Sequence, residues 1–153
     1  MREENLYSAI VTKLQADTGS GSLVALTGHT GSNIRIARFR PKQLPSLPFL
    51  GIWIADTSRA IEDGPGVIYS SLVFFTSYSK DDLTSIKLSD RIQVMLESAE
   101  KSGTSNRGFL DFSDSKICNY STRFLGREPK DYNDERDVWN LLIQASVVWS
   151  SKV

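Results

Sequence analysis

The order of elements along these 153 residues predicts an α+β protein, a single domain spanning 1–153. Its sheet should be largely antiparallel, with two α-helices packed on one face and a long β-hairpin loop. Three observations lead there. Apolar residues recur at helical spacing twice, near the start and again after Ser79. Strict alternation runs through the last stretch, from Val138 to Trp149. The composition, 40% apolar and 24% charged, is that of an ordinary globular chain.

The first helix is expected over 4–16, where Leu6, Ala9, Ile10 and Leu14 share a face and Glu3 and Glu4 stand at the N-terminus, which favours negative charge. Gly19 is the expected stop. A short apolar piece, Leu23–Leu26, leads into a loop at Gly28–Gly31. Ile34–Arg40 alternates in part and suits an edge strand whose arginines discourage further pairing. Pro41, Pro45 and Pro48 then interrupt the chain before Phe49–Ala55, read as a buried strand. Thr57–Gly66, with Asp63-Gly-Pro-Gly66, reads as the long hairpin loop. Val67–Tyr78 is the return strand. Ile68, Leu72, Phe74 and Tyr78 line one side and Tyr69, Val73 and Phe75 the other, so the strand is either central or covered by a partner subunit.

Ser79 is a candidate N-cap for a second helix, with Asp81 and Asp82 in its first turn. Leu88, Ile92, Met95, Leu96 and Ala99 form its apolar face, and Gly103 is the expected stop. One or two strand pieces follow within 109–124, then a charged loop over 126–137. In the closing strand, Trp139, Leu141, Ile143, Ala145, Val147 and Trp149 fall on one side, and the other side is half polar, as in a half-buried strand.

The residue counts weigh against catalysis. One histidine, His29, leaves few ways to build a His-based metal site or a nucleophile–histidine pair, and the better reading is a surface or hydrogen-bonded role in a loop. One cysteine, Cys118, forms no intramolecular disulfide and reads as a buried, inert thiol in a reducing compartment. Gly19–Ser22 and Gly28–Ser32 lack the spacing of a phosphate-binding loop. Asp111 with Asp114, and Asp134, Glu135 and Asp137, could bring carboxylates together for a small hydrolase, but Lys130 and Arg136 favour a solvated mixed-charge loop. No catalytic residue, metal ligand or cofactor is assigned. The longest apolar runs, such as Leu72–Phe75, are far short of the ~20 residues of a membrane span, and the start does not read as a signal peptide.

Charge is segregated on a chain of zero formal net charge. Thr18–Ala55 contains no acid, while Arg35, Arg38, Arg40 and Lys42 make a basic strip. Asp56, Glu62 and Asp63 outweigh Arg59 in the hairpin loop, and acids outnumber bases over 111–137. The strip and the acidic loops could meet between neighbouring subunits of a head-to-tail ring, or pair within one chain. Nucleic-acid binding is the weaker reading, because only Phe39 interleaves with the strip.

The succession of a helix (Leu6–Asp17), a Leu-Val-Ala-Leu segment, a basic strand, the proline-led strand Leu47–Ile54, the strand Ser70–Ser79 running into a helix, and a long final strand resembles the tail terminator, or tail completion, proteins of long-tailed bacteriophages. The resemblance covers nearly the whole chain and rests on element order. It implies a cofactor-free structural protein that forms a homohexameric ring on the head-proximal end of the tail tube, stops tube polymerisation and joins tail to head. The implied partners are its own copies, the tail tube protein, a head-tail connector or neck protein and, in a contractile tail, the sheath. No membrane or specific nucleic acid is among them. The implied place is the virion tail, after assembly in the host cytoplasm. A head-to-tail connector or neck adaptor is the alternative. Candidate interface residues are Arg35, Arg38, Arg40 and Lys42 on one side, and Glu62, Asp63, Asp134 and Glu135 on the other.

Overall fold

Leu6, Ala9, Ile10 and Leu14 are each buried along one side of helix α1 (Glu3–Gln15), as their spacing requires. The computed structural model describes residues 3–39, 46–61, 67–98 and 110–152. After α1 come helix α2 (Leu23–Thr27), strands β1 (Ile36–Arg38), β2 (Phe49–Ile61) and β3 (Ile68–Ser79), helix α3 (Asp82–Ser98), and strands β4 (Ile117–Arg127), β5 (Asp131–Asn133) and β6 (Val138–Ser151). The six strands form one sheet in the order β1-β2-β3-β6-β4, with β5 also paired to β6. Only the β1–β2 pairing is parallel. The expected α+β class and mostly antiparallel sheet are therefore present.

The core lies between this sheet and the helices. Leu6, Ile10 and Leu14 from α1 and Leu88, Ile92 and Leu96 from α3 meet Leu50, Ile52, Val73, Phe75, Ile143 and Val147. The alternation of β6 supplies its inward row from Leu141 to Trp149, every member buried, with Trp139 at the rim. Trp149 is fully enclosed against Tyr69, and its indole Nε1–H donates to Ser71 Oγ at 2.8 Å. Ser71 also bonds Thr57 Oγ1, which in turn donates to the Glu3 carboxylate at 2.9 Å. This relay satisfies a buried donor and ties the start of α1 to the sheet.

Serines set the distance of α3 from the sheet. Ser77, Ser79, Ser85 and Ser89 are all buried. Ser77 Oγ bonds Ser89 Oγ and the Ser85 carbonyl at 3.2 Å, and Ser79 Oγ lies 2.8 Å from Ser85 Oγ. Small polar side chains let the helix approach while its hydroxyls stay paired.

Asp17 fastens the loop after α1 to α3. Arg91 grips it with two hydrogen bonds, Nε to Oδ2 at 2.9 Å and Nη2 to Oδ1 at 2.6 Å, and the Leu23 N–H donates to Oδ2 at 2.8 Å. Burial alone would raise the Asp17 carboxyl. The Arg91 hydrogen bonds, the Leu23 N–H and the Arg91 charge outweigh it, so the group titrates below the ordinary aspartate value.

Several expectations are corrected. The Leu23–Leu26 piece is a third helix, capped by Ser22 Oγ accepting from the Ala25 N–H and closed by Gly28 in the left-handed region. The second long helix is capped by Asp81, whose Oδ1 accepts from the Leu83 N–H at 3.2 Å. Ser79 is buried in the serine layer and bonds the Asp81 carbonyl and Ser85 instead. Thr57–Ile61, expected in the hairpin loop, continues β2 through two bulges, because β3 offers it a full-length partner. The rest of that loop, 62–66, lies outside the described residues, as do Gly103 and Ala99. The charged loop at 126–137 is shorter too: Gly126 and Arg127 complete β4, and Asp131–Asn133 pairs with the start of β6. Cys118 is half-buried on β4.

Candidate interaction surfaces

Each strand of a sheet with helices on one side has an inward and an outward row. Outward, β3 presents Ser70, Leu72, Phe74, Thr76 and Tyr78, and β6 presents Asn140, Leu142, Gln144, Ser146 and Val148, paired opposite one another across the middle of the face. None carries an acidic or basic group, and all are half-buried. Trp53 of β2 stands on this face, 50% exposed, edge-on to Phe74 with centroids 6.0 Å apart. Phe49–Ala55, expected as a buried strand, is exposed at Trp53 and Ala55. Next to it, Phe39 covers Gly51 and stacks on Tyr78 at 4.9 Å, with Phe49 beside it. A β-carbon on Gly51 would lie 2.7 Å from Phe39 Cβ, so glycine is what lets the ring reach the sheet. Burial under this aromatic group pushes the Tyr78 phenol above its ordinary value. Charge-free along β3 and β6 and aromatic-bearing, the middle of the outer face has the composition of an interface centre.

The basic strip divides. Arg35 turns to the backbone of the proline-led segment: its guanidinium donates to the Leu47 and Pro48 carbonyls, and its Nε to Asn33 Oδ1 at 3.0 Å. Its own N–H and that of Ile36 both donate to His29 Nδ1, at 2.9 and 3.2 Å, which assigns the imidazole proton to Nε2. His29 thus has the hydrogen-bonded role expected of it. Arg38 is exposed and lies over the Tyr7 ring, 4.3 Å from its centroid. Tyr7 Oη accepts the Ile54 N–H at 2.7 Å, so α1 closes the edge of β2 at that point. Arg40, Lys42, Glu62 and Asp63 lie outside the described residues.

Asp134 and Glu135 are exposed in the turn between β5 and β6. Beside them Tyr132 donates to Asp137 Oδ1 at 2.5 Å. That hydrogen bond, with burial and the charges of Asp137 and Asp134, raises the Tyr132 phenol. The ion pairs among the described residues are Arg91–Asp17, Arg127–Asp90 and Lys130–Asp82. None joins the basic strip to an acidic loop. Strand order sets the two apart, since β1 lies at one edge of the sheet and β5 pairs on the far side of β6.

Asp111 and Asp114 hold turns. Asp111 accepts the Ser113 N–H, and Asp114 accepts the N–H groups of Lys116 and Ile117. Among the described residues no three His, Cys, Asp or Glu side chains gather as metal ligands. An open depression of ≈ 260 Å³ between α2 and α3 is lined by Gly21, Leu26, Lys87, Asp90, Arg91 and Val94. Its Asp90 and Arg91 are already paired, with Arg127 and Asp17.

The architecture matches a chain from a virion. That solved structure is the virion of a native gene transfer agent particle. The similarity covers 95% of this chain and 94% of that one, with a TM-score of 0.67 and 14% identity. At this identity the likeness is one of fold. No protein-family model and no curated protein matches the sequence.

Residues with roles on these surfaces were partly missed by sequence reasoning. The sequence pattern marks Trp53 and Phe74 only as strand residues, whereas the fold sets them edge to face on the outer side of the sheet. Alternation separates the two faces of a strand but does not say which face meets the helices.

Proposed function

We propose that this protein is a structural component of a phage-like virion. In this reading it forms a homohexameric ring on the head-proximal end of the tail tube, stops tube growth and provides the surface for joining tail to head. The observation that carries the reading is the fold similarity to a virion chain, which spans 95% of this chain and 94% of that one. It agrees with the element order that resembles tail terminators. A terminator works by differential binding: one ring face fits the last tube ring, and the other accepts no further tube subunit. Such work needs surfaces rather than reacting groups. An outer sheet face uncharged along its central strands and oppositely charged groups on opposite edges supply them. Its partners are then its own copies, the tube protein, a neck protein and, in a contractile tail, the sheath.

Native mass spectrometry across a concentration series, with and without purified tail tubes, tests the reading. A discrete hexamer, or a monomer that becomes one on tube ends, is expected. A twelve-fold ring moves the assignment to a neck connector, and a monomer indifferent to tubes removes the ring. Reversing charges with Arg38→Glu and Arg40→Glu should weaken assembly while the far-UV spectrum stays that of the folded chain. Unchanged assembly takes the basic strip out of the interface. Arg35 is left intact in this variant, because it holds backbone carbonyls within its own chain.

A further inference from the structure

The two edges of the sheet match each other. Following the pairing across the strands, Asp56, Leu72, Ser146 and Arg123 lie on one transverse row. Thr57, Ser71, Val147 and Thr122 make the next, and Ser58, Ser70, Val148 and Ser121 the third. Bulges bracket these rows on both edge strands. In β2 they fall between Ile54 and Asp56 and between Arg59 and Ile61, and in β4 between Asn119 and Ser121 and between Phe124 and Gly126. Both edges are therefore regular over the same three rows.

The neighbouring rows complete the match. Strand β1 occupies the edge of β2 only along Leu50–Ile52, and its last pair, Arg38 with Ile52, shares a row with Phe75, Ile143 and Arg127, where β4 ends. Beyond the three rows each edge is partly engaged, β2 where the Ile54 N–H donates to Tyr7 Oη and β4 where the Asn119 N–H donates to Ser113 Oγ and Ile117 is bonded to Asp114, so the open stretches of the two edges coincide over those rows. Because each step from β2 to β4 is antiparallel, the two edge strands run in opposite directions. Among the described residues, no backbone hydrogen bond reaches the outer side of Asp56–Arg59. On the β4 window one group is used, the Ser121 carbonyl, by Asn119 Nδ2.

We propose that a second copy of this chain docks edge to edge in the same orientation, β4 of one copy pairing antiparallel with β2 of the next. The proposal rests on the ring reading and names its seam. An exposed edge is a template for this kind of strand addition; over the three rows the two edges contain no lysine or proline, and the single charge on each is opposite in sign to that on the other. Level registration places Arg123 opposite Asp56 of the neighbour. Both side chains are exposed on the outer face, and neither has an ion pair or hydrogen bond among the described residues. Thr122 falls opposite Thr57 and Ser121 opposite Ser58, both favourable cross-strand pairs. The same joint brings the acidic turn of Asp134 and Glu135 toward the strip of Arg35 and Arg38, since β5 and β1 lie at the same end of the sheet on opposite edges. A heterologous contact of this kind closes into a ring or runs on as a filament.

Paired cysteines test the seam in the full chain. In a Cys118→Ser background, Asp56→Cys with Arg123→Cys should give a covalent ladder of dimers and higher species under mild oxidation, because directly opposed antiparallel residues have Cα atoms at disulfide distance. Either cysteine alone should give no ladder. Asp56→Arg or Arg123→Asp alone should raise the concentration needed for assembly by about tenfold or more, and both together should largely restore it. Native mass spectrometry of each variant keeps the two ideas separate. An assembled protein with no ladder and no effect of either charge change overturns the seam and leaves the ring standing. A covalent dimer from one cysteine alone means a two-fold contact and also overturns it. A protein that stays monomeric at every concentration and on tube ends overturns both.

Discussion

Removing Arg91 should expose how much of the helical layer hangs on one carboxylate. Arg91→Met keeps most of the aliphatic stem and deletes the two charge-assisted hydrogen bonds to Asp17, 2.6 and 2.9 Å long. Such bonds contribute about 1.5–3 kcal/mol each when shielded from water. Arg91 is not fully shielded, with 35% of its side chain accessible, so solvent screening reduces that figure. Asp17 is only 9% accessible and would keep a single partner, the Leu23 N–H, so part of the cost is a carboxylate left poorly satisfied. The expected loss is about 1.5–3 kcal/mol, or roughly 3–12 °C in Tm at this chain length. Asp17→Asn should cost less, because the amide oxygen can still accept from Leu23.

The pH dependence separates the charge from the shape. The folded Asp17 carboxyl lies below its unfolded value of about 3.9, so its contribution is complete above that value and is lost as pH falls through the folded one. Wild type should therefore lose stability from about pH 5 downward, and Asp17→Asn should lose less over the same interval. Urea unfolding followed by tryptophan fluorescence at pH 7 and at pH 3 measures both effects. An Arg91→Met variant within about 0.5 kcal/mol of wild type would refute the reasoning, since that is the size of an ordinary surface substitution. An acid loss identical in wild type and Asp17→Asn would refute the linkage.

Two further outcomes follow from the sheet. Trp149→Ala should cost about 3–5 kcal/mol, since the side chain is fully buried, whereas Ser71→Ala should cost about 1–3 kcal/mol by leaving the indole N–H without its acceptor. Chemical denaturation ranks the two, and a smaller loss for the tryptophan would show that the relay outweighs the packing. Gly51→Ala should displace Phe39 and cost about 1–3 kcal/mol, because its β-carbon would meet Phe39 Cβ at 2.7 Å. A truncated Phe39→Ala partner should recover part of that loss in the double variant, and additive losses would mean the clash is not what matters.

Short-range physics made much of the fold legible. The two-residue period from Val138 to Trp149 identifies β6 because successive side chains of a strand must face opposite ways, and the inward row matches from Leu141 onward. The stripe of Leu6, Ala9, Ile10 and Leu14 identifies α1 for the analogous reason. The sequence of elements and the α+β class come from such local patterns, as does the segregation of charge into a basic strip and acidic loops. Ser79 shows where local chemistry is ambiguous. Serine and aspartate both cap helices, and Asp81 takes the cap because Ser79 is drawn inward to Ser85.

What the tertiary structure decided is everything that depends on a partner far away in the chain. Asp131–Asn133 has no strand pattern of its own and pairs because β6 extends past β4 and offers its edge. Thr57–Ile61 remains strand because β3 is long enough to hold it. Arg35 turns from a surface charge into a clasp on backbone carbonyls once the proline-led segment is folded against it. Asp56 and Arg123 share a row only because two intervening strands carry the register from one edge to the other. Register is a sum of pairings, bulges included, and no single stretch of sequence contains it.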